Sequence, residues 1–380
     1  VFTFHNNSRS AQGRVGIGAY NYTPVFKGLR EIGILQEGEN PFIKTLEAAD
    51  MVTTVSENFA KEVQTEEFGE GISFALRKTA KAGRLLGIVN GTNVDRWNPE
   101  TDKTLTEWKD LATGAPLDLS FSPDSDIMAQ KQKAKEQIYI WTKKYFPHTS
   151  FDPSKPLMTY IGRYDSHQKG LEHFAEAAKE VLEAGGQFIC MGSQEDSKAQ
   201  DILNQLEQKY GHSVLIIRDY KDSSGKYHYQ QGSEEDGVVG IGSVVRAATD
   251  FMFIPSVYEP CGLVQGEGFI RGAKTIGSHT GGLVDTVIED GKGVNGYLFH
   301  RTKPGSLPST IKKALTEWEE TSHKEKNGNA KRIMENARLE SWTSSPRGLS
   351  PTQRYHTAYK VAQNHSRHVT VETEKTYDIQ

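Results

Sequence analysis

From Leu157 onward the chain alternates short apolar runs with amphipathic stretches, and that alternation restricts the fold more than any other feature of the sequence. Leu157-Met158-Thr159-Tyr160-Ile161 is a strand-length apolar run ending at Gly162. Leu171, Phe174, Ala175, Ala178, Val181 and Leu182 then recur at helical spacing, and Gly185-Gly186 stops them. The pattern repeats with Phe188-Ile189-Cys190-Met191, a helix marked by Ile202, Leu203, Leu206 and Tyr210, and the run Val214-Leu215-Ile216-Ile217. A loop rich in Ser, Gly, Asp and Tyr spans 220–240, and a short helix leads into Phe251-Met252-Phe253-Ile254. Repeated β-α-β order predicts a parallel sheet with helices on both faces.

In such a sheet ligands bind beyond the carboxyl ends of the strands, so the residues after each apolar run are the candidates. Arg163 and Lys169 follow the first run, Gly192-Ser193 the second, and Glu259 the 251–254 strand. His5-Asn6 likewise follow Val1–Phe4, which reads as a buried strand. The richest stretch is Pro255-Ser256-Val257-Tyr258-Glu259-Pro260-Cys261-Gly262-Leu263. It presents a carboxylate and then the backbone N–H groups of Gly262 and Leu263, where the next helix begins. The orphan donors and the dipole of a helix start point the same way and favour an anion. A carboxylate beside an anion site suits a ligand with hydroxyls at one end and phosphate at the other, the shape of a sugar nucleotide. The plainer reading is a strand–turn–helix corner punctuated by Pro and Gly. Taken together, the strand ends offer a cationic pair, a Gly turn, a carboxylate with N–H donors and a histidine.

Composition narrows the classes. A chain of 380 residues should hold two domains. With 36% hydrophobic residues and 36 glycines it falls in the globular range. A net charge of -4 with mixed signs leaves no nucleic-acid footprint, and no apolar run approaches the ~18 residues of a membrane span. Cys190 and Cys261 read as reduced thiols of a cytosolic protein. Asp124-Ser125-Asp126 has a metal-binding D-x-D spacing, but an acidic helix N-terminus explains it equally well, and no metal or cofactor is expected. Gly16-Ile17-Gly18 and Gly240-Ile241-Gly242 hint at dinucleotide loops without the strand and acidic residue that would complete one. His365 and His368 lie in a polar tail and read as solvated. A chain that opens in mid-strand at Val1 is expected to be a fragment whose targeting information is absent.

Tyr160-Ile161-Gly162-Arg163, Gln168-Lys169-Gly170-Leu171, Glu259–Leu263 and Thr280-Gly281-Gly282-Leu283 resemble the bacterial glycogen synthase and plant starch synthase family. So do Ala49–Ser56, Gly87-Ile88-Val89-Asn90-Gly91 with Trp97-Asn98-Pro99, and His5-Asn6 with Gln12-Gly13, which is similar to that family's histidine loop. The match runs from residue 1 to about 360, broken near 103–155 and at the 220–240 loop, and keeps the family's motif order. The resemblance implies an α/β fold of two Rossmann-like domains, the GT-B type of glycosyltransferase, with the first domain only partly present. It implies a nucleotide sugar bound between the halves, and retaining, metal-independent transfer of glucose from ADP-glucose or UDP-glucose to an α-1,4-glucan.

Carried over by motif, Arg163 and Lys169 hold the diphosphate, Glu259 lies near the glucose, and the Gly262 and Leu263 amides face phosphate. His5 and Asn90 approach the transferred sugar, Cys261 lines the pocket, and Gly192 and Thr280 complete the nucleotide-sugar site. Glu267 stands eight residues after Glu259, where the bacterial family usually has an aromatic or apolar residue. In other transferases of this fold a carboxylate there binds the ribose hydroxyls. Arg163 and Lys169 are one residue further apart than usual in the bacterial and plant enzymes, and Val264 replaces the usual Thr.

The expected domains are 1–93, a remnant of the first Rossmann-like domain; 94–342, the nucleotide-sugar domain; 343–363, a helix crossing back, with Tyr355, Tyr359 and Val361 packed on the first domain; and 364–380, a polar, mobile tail. The family's Lys-Thr-Gly-Gly-Leu loop is absent, so the chain alone is expected to bind nucleotide without transferring glucose. The alternatives are a non-catalytic synthase-like glucan- or partner-binding protein, and a sucrose- or trehalose-type glucosyltransferase of the same fold. The expected location is cytoplasmic, or plastidial if a transit peptide precedes Val1. The oligomeric state is left open.

Overall fold

The computed structural model describes residues 1–7, 31, 36, 39–193, 196–221, 227–229, 240–345 and 348–377. Two compact units emerge, one of Val1–Gly91, Glu259–Cys261 and Trp342–Gln380, the other of Thr92–Tyr258 and Gly262–Ser341. Gln12-Gly13 and Gly16-Ile17-Gly18 lie outside the described residues. No helix among the described residues is long and apolar enough to cross a membrane.

The first unit holds a parallel sheet of β1 (Phe2–Phe4), β2 (Val52–Thr54) and β3 (Leu85–Gly87), in that order. The helices α1 (Pro41–Ala48), α2 (Glu57–Glu62) and α3 (Ser73–Lys81) accompany it. Asn40 caps α1 by accepting from Phe42 and Ile43, with Pro41 beginning the first turn, and Ser56 caps α2 by accepting from Phe59. Phe4, Phe42, Leu46, Val52, Phe59 and Leu76 form the core. The helix Pro351–Tyr377 belongs to the same unit. Ala358 and Ala362, rather than the expected Tyr359 and Val361, meet Met51 and Leu86. Tyr359 is 55% and Val361 36% exposed. The buried stripe runs through Pro351, Ala358 and Ala362, at spacings that keep one helix face, and Tyr359 and Val361 lie off it. The helix also continues through Tyr377, into the segment expected to be a mobile tail.

The second unit begins with α4 (Val94–Trp97), α5 (Lys103–Thr106) and α6 (Ile127–Tyr145). Then β4 (Leu157–Arg163), α7 (Phe174–Glu183), β5 (Gln187–Ser193), α8 (Ser197–Tyr210) and β6 (Val214–Lys221) follow the alternation read from the sequence. A short strand β7 (Tyr227–Tyr229) folds back antiparallel onto β6, pairing Asp219 with Tyr229, within the stretch expected to be loop. The chain continues through α9 (Ile241–Ala248), β8 (Phe251–Ile254), α10 (Val264–Ile270), β9 (Lys274–Ser278), α11 (Gly281–Thr286), β10 (Gly296–Phe299), α12 (Ser306–Glu320) and α13 (His323–Leu339). The strands form one sheet ordered β10-β9-β8-β4-β5-β6-β7, parallel throughout except at β7.

Side chains alternate between two cores, as the pleat requires. Phe188 and Cys190 join Phe174, Leu203 and Ile311, from α7, α8 and α12. Ile189 and Met191 join Ile138, Val245 and Met334, from α6, α9 and α13. The D-x-D pair has local partners: Asp126 caps α6 by accepting from Ala129 and meets His323 at 2.9 Å, and Asp124 meets Lys331 at 2.7 Å.

Two lysines of α6 are buried beneath the sheet. Lys135 pairs with Asp250 at 2.6 Å. Lys131 donates to the carbonyls of Ala247, at 3.4 Å, and Thr249, at 2.5 Å, and burial pulls its pKa down to about 7. Its unfolded value is about 10.4. Between those values the unfolded chain keeps a proton that the folded chain has released, so stability rises with pH there, by up to ~1.4 kcal/mol per unit. Below about 7 both states are protonated and the penalty is fully present. Lys131→Met should remove this rise, seen by urea unfolding at pH 7, 8 and 9 through tryptophan fluorescence. The same slope in variant and parent would rule out a neutral amine there.

Candidate active site

Strand order changes direction at β4. From β4 the chain moves outward through β5 and β6, then returns to place β8 on the other flank of β4 and moves away through β9 and β10. The connections on either side of the β4–β8 join leave in opposite directions, which opens a crevice at the carboxyl ends of these two strands.

The turn after β4 is tightly organised. Arg163 donates to Asp165 Oδ2 at 3.0 Å through Nη1 and to Gln168 Oε1 at 2.9 Å through Nη2. Asp165 Oδ1 accepts from the backbone of His167 and Gln168, an Asx turn, and the Lys169 N–H donates to the Asp165 carbonyl. Gln168 joins this turn to the segment after β8: its carbonyl accepts from Val257 N at 2.7 Å, and its amide donates to the Tyr258 carbonyl at 3.3 Å. Arg163 stays exposed and Lys169 is half-buried, both on the turn that follows β4. Gly170 lies at φ 64°, and a Cβ there would stand 1.9 Å from the Pro255 carbonyl oxygen.

The other sequence-derived residues divide between the units. Gly192 is the penultimate residue of β5, where an added Cβ would meet the Gly162 carbonyl oxygen at 2.3 Å, so close strand packing requires a glycine there. Gly262 and Leu263 precede α10, whose first turn has no side-chain cap, and Leu263 is exposed. Thr280 is buried at the start of α11 and does not cap it with its side chain. Glu267 is buried, one turn into α10. In the first unit His5 follows β1 and is exposed, and Asn90 follows β3 with its Oδ1 buried and unpaired. Glu259 and Cys261, both buried, are counted with that unit.

Several charged residues of the second unit escaped the sequence reading. Arg246 donates from Nε to Glu267 Oε2 at 3.0 Å, and its guanidinium lies 5.0 Å from the centre of the Trp97 ring. Burial raises the Glu267 pKa, against the pull of Arg246. Arg271, fully buried, pairs with Asp102 at 2.7 Å and donates to the Trp97 carbonyl at 3.2 Å. Desolvation pushes the Asp102 pKa up, but Ser243 and Arg271 outweigh it and hold the carboxyl below its usual value. After β10, Arg301 donates to the Val257 carbonyl at 3.3 Å and to Glu172 at 3.4 Å. No periodicity marks these residues, because each partner lies on a different element.

Residues 155–317 match the family described as Glycosyl transferases group 1, and residues 1–78 the Starch synthase catalytic domain. A glycogen synthase of Marinomonas sp. (strain MWYL1) is 30% identical over 284 residues, covering 74% of this chain and 51% of the relative. That of Yersinia enterocolitica is 31% identical over 282 residues, covering 72% and 51%. The catalytic domain of starch synthase IV from Arabidopsis thaliana, solved with ADP and acarbose, is 25% identical with a TM-score of 0.68, covering 95% of this chain and 66% of that one. The fold is therefore that of the GT-B glycosyltransferases. Within that class the chain is a relative of the glycogen and starch synthases, and it spans about half the length of the curated relatives named here.

The close approach at Gly170 can be isolated. Gly170→Ala combines a disfavoured φ with a backbone clash and should cost about 2–4 kcal/mol. Gly114→Ala, at φ 72° with open space around it, should cost only about 1 kcal/mol. Equal losses in thermal unfolding would show that the 170–255 contact carries no weight.

Proposed function

We propose that the chain binds the donor of a retaining glucosyltransferase that extends an α-1,4-glucan from ADP-glucose or UDP-glucose. The observation that carries this reading is the placement of Arg163 and Lys169 on a braced turn at the β4–β8 switch point, with the first turn of α10 following the neighbouring strand. In glucosyl transfer the bond from the anomeric carbon to the diphosphate oxygen breaks, and an acceptor hydroxyl supplies the new oxygen. Negative charge grows on the departing diphosphate. Two fixed cations and backbone donors oppose that charge as it develops, where electrostatic catalysis is largest. His5, Asn90, Glu259 and Cys261 are assigned to the sugar, and Gly192, Gly262, Leu263, Glu267 and Thr280 to the nucleotide sugar, by their motifs.

Calorimetric titration tests the reading. ADP or UDP should bind at least tenfold more tightly than AMP or UMP, because the clamp engages the second phosphate. Lys169→Ala should collapse that difference while leaving monophosphate affinity nearly unchanged. If neither diphosphate bound, the assignment would fail. In the protein as its source makes it, labelled glucose should pass to glycogen and not to fructose 6-phosphate or glucose 6-phosphate. Glu259→Ala should there lower kcat more than it raises donor KM.

A further inference from the structure

Glu267 and Arg246 form a largely buried ion pair between α10 and α9, the helices that follow and precede β8. Removing a carboxylate from water is costly unless it is paired, and here one oxygen is paired. Oε2 accepts from Arg246 Nε at 3.0 Å. Oε1 takes no hydrogen bond from the described residues, and the Glu267 side chain keeps 11% of its exposure. The Glu267 N–H bonds the Leu263 carbonyl at 3.1 Å, which sets this carboxylate one helical turn beyond the first amides of α10.

Arg246 is itself held on three sides. Its Nη1 donates back to the Gly242 carbonyl at 3.2 Å, so the side chain runs toward the start of α9. Its guanidinium faces the Trp97 ring at 5.0 Å, and the Trp97 carbonyl accepts from the fully buried Arg271, which Asp102 neutralises at 2.7 Å. A planar guanidinium fixed by an aromatic face and a carbonyl presents its Nε–H in one direction.

We infer that Arg246, seated on Trp97, is a positioning residue that aims the Glu267 carboxylate at the ribose hydroxyls of the donor nucleotide. The inference rests on the donor-binding reading above. Adjacent hydroxyls donate to a carboxylate best when it is ionised and fixed. Without the guanidinium, burial would shift Glu267 toward its neutral form, which accepts less well.

The test compares ADP and UDP, each beside its dideoxyribose analogue, by calorimetry. For the natural nucleotide, Arg246→Gln and Glu267→Gln should each weaken binding about tenfold, the scale of a hydrogen bond to a charged group. Binding of the dideoxy analogue should be unchanged. The double variant should be no weaker than either single one, because both remove one interaction. Arg246→Lys, which keeps charge but not the stacked fork, should fall between, and serves if Arg246→Gln unfolds. Equal losses for natural and dideoxy nucleotides would make Arg246 merely structural, and no loss would remove it from the site. Failure of the parent chain to bind any nucleotide would instead refute the donor-binding reading.

Discussion

Asp250 is the joint on which the second unit depends. One oxygen of its carboxylate, Oδ2, takes the Lys135 ammonium at 2.6 Å and the Leu157 N–H at 2.8 Å, while its backbone bonds Leu157 and Lys274. Helix α6 and strands β4, β8 and β9 therefore meet at one buried anion. The join needs it, since β4 and β8 share only two registered pairs, Met158 with Phe251 and Thr159 with Met252. The Thr249–Thr159 hydroxyl contact at 2.9 Å adds a second polar tie. Truncating either partner of such a pair leaves an uncompensated buried charge, which costs more than the pair itself contributes. Where β4 and β8 lie side by side, the strand order reverses, so an interaction at the amino edge of the sheet determines where a crevice opens at the carboxyl edge.

The crevice is furnished by turns rather than by regular elements. Asp165 folds the turn that carries Arg163 and Lys169, and Gln168 ties that turn to the segment following β8. The cations are thus carried on a loop braced by hydrogen bonds at both ends. Arg301 adds a further link between the strand ends, from β10 to Val257.

The elements of the second sheet were legible because each strand is buried on both faces and each helix on one. Phe188–Met191 and Val214–Ile217 read as continuous apolar runs for that reason. The order of the strands was not legible, since periodicity describes a segment and not its neighbours. Among the candidate residues, those that terminate strands could be read from position alone. The Arg246–Glu267 and Arg271–Asp102 pairs could not, as their partners stand 21 and 169 residues apart. The final helix shows the same limit: Tyr359 and Val361 are its larger apolar residues there, but alanines at 358 and 362 meet Met51 and Leu86. The β6–β7 hairpin lies in a polar stretch whose composition resembles a loop.

The β4–β8 join also has a kinetic meaning. Leu157 and Asp250 are 93 residues apart, whereas β4, β5 and β6 are joined by single-helix crossovers. Closing a long loop costs entropy before any contact repays it, and non-local strand pairs slow folding. The β4-α7-β5-α8-β6 segment can therefore organise first, and β8 through β10 dock onto the open flank of β4 afterwards. During synthesis, the flank of β4 waits for residues made much later. The switch point is thus a seam that cannot close until β8 has been made, and until it does, this edge of the sheet is open to pairing with a neighbouring chain.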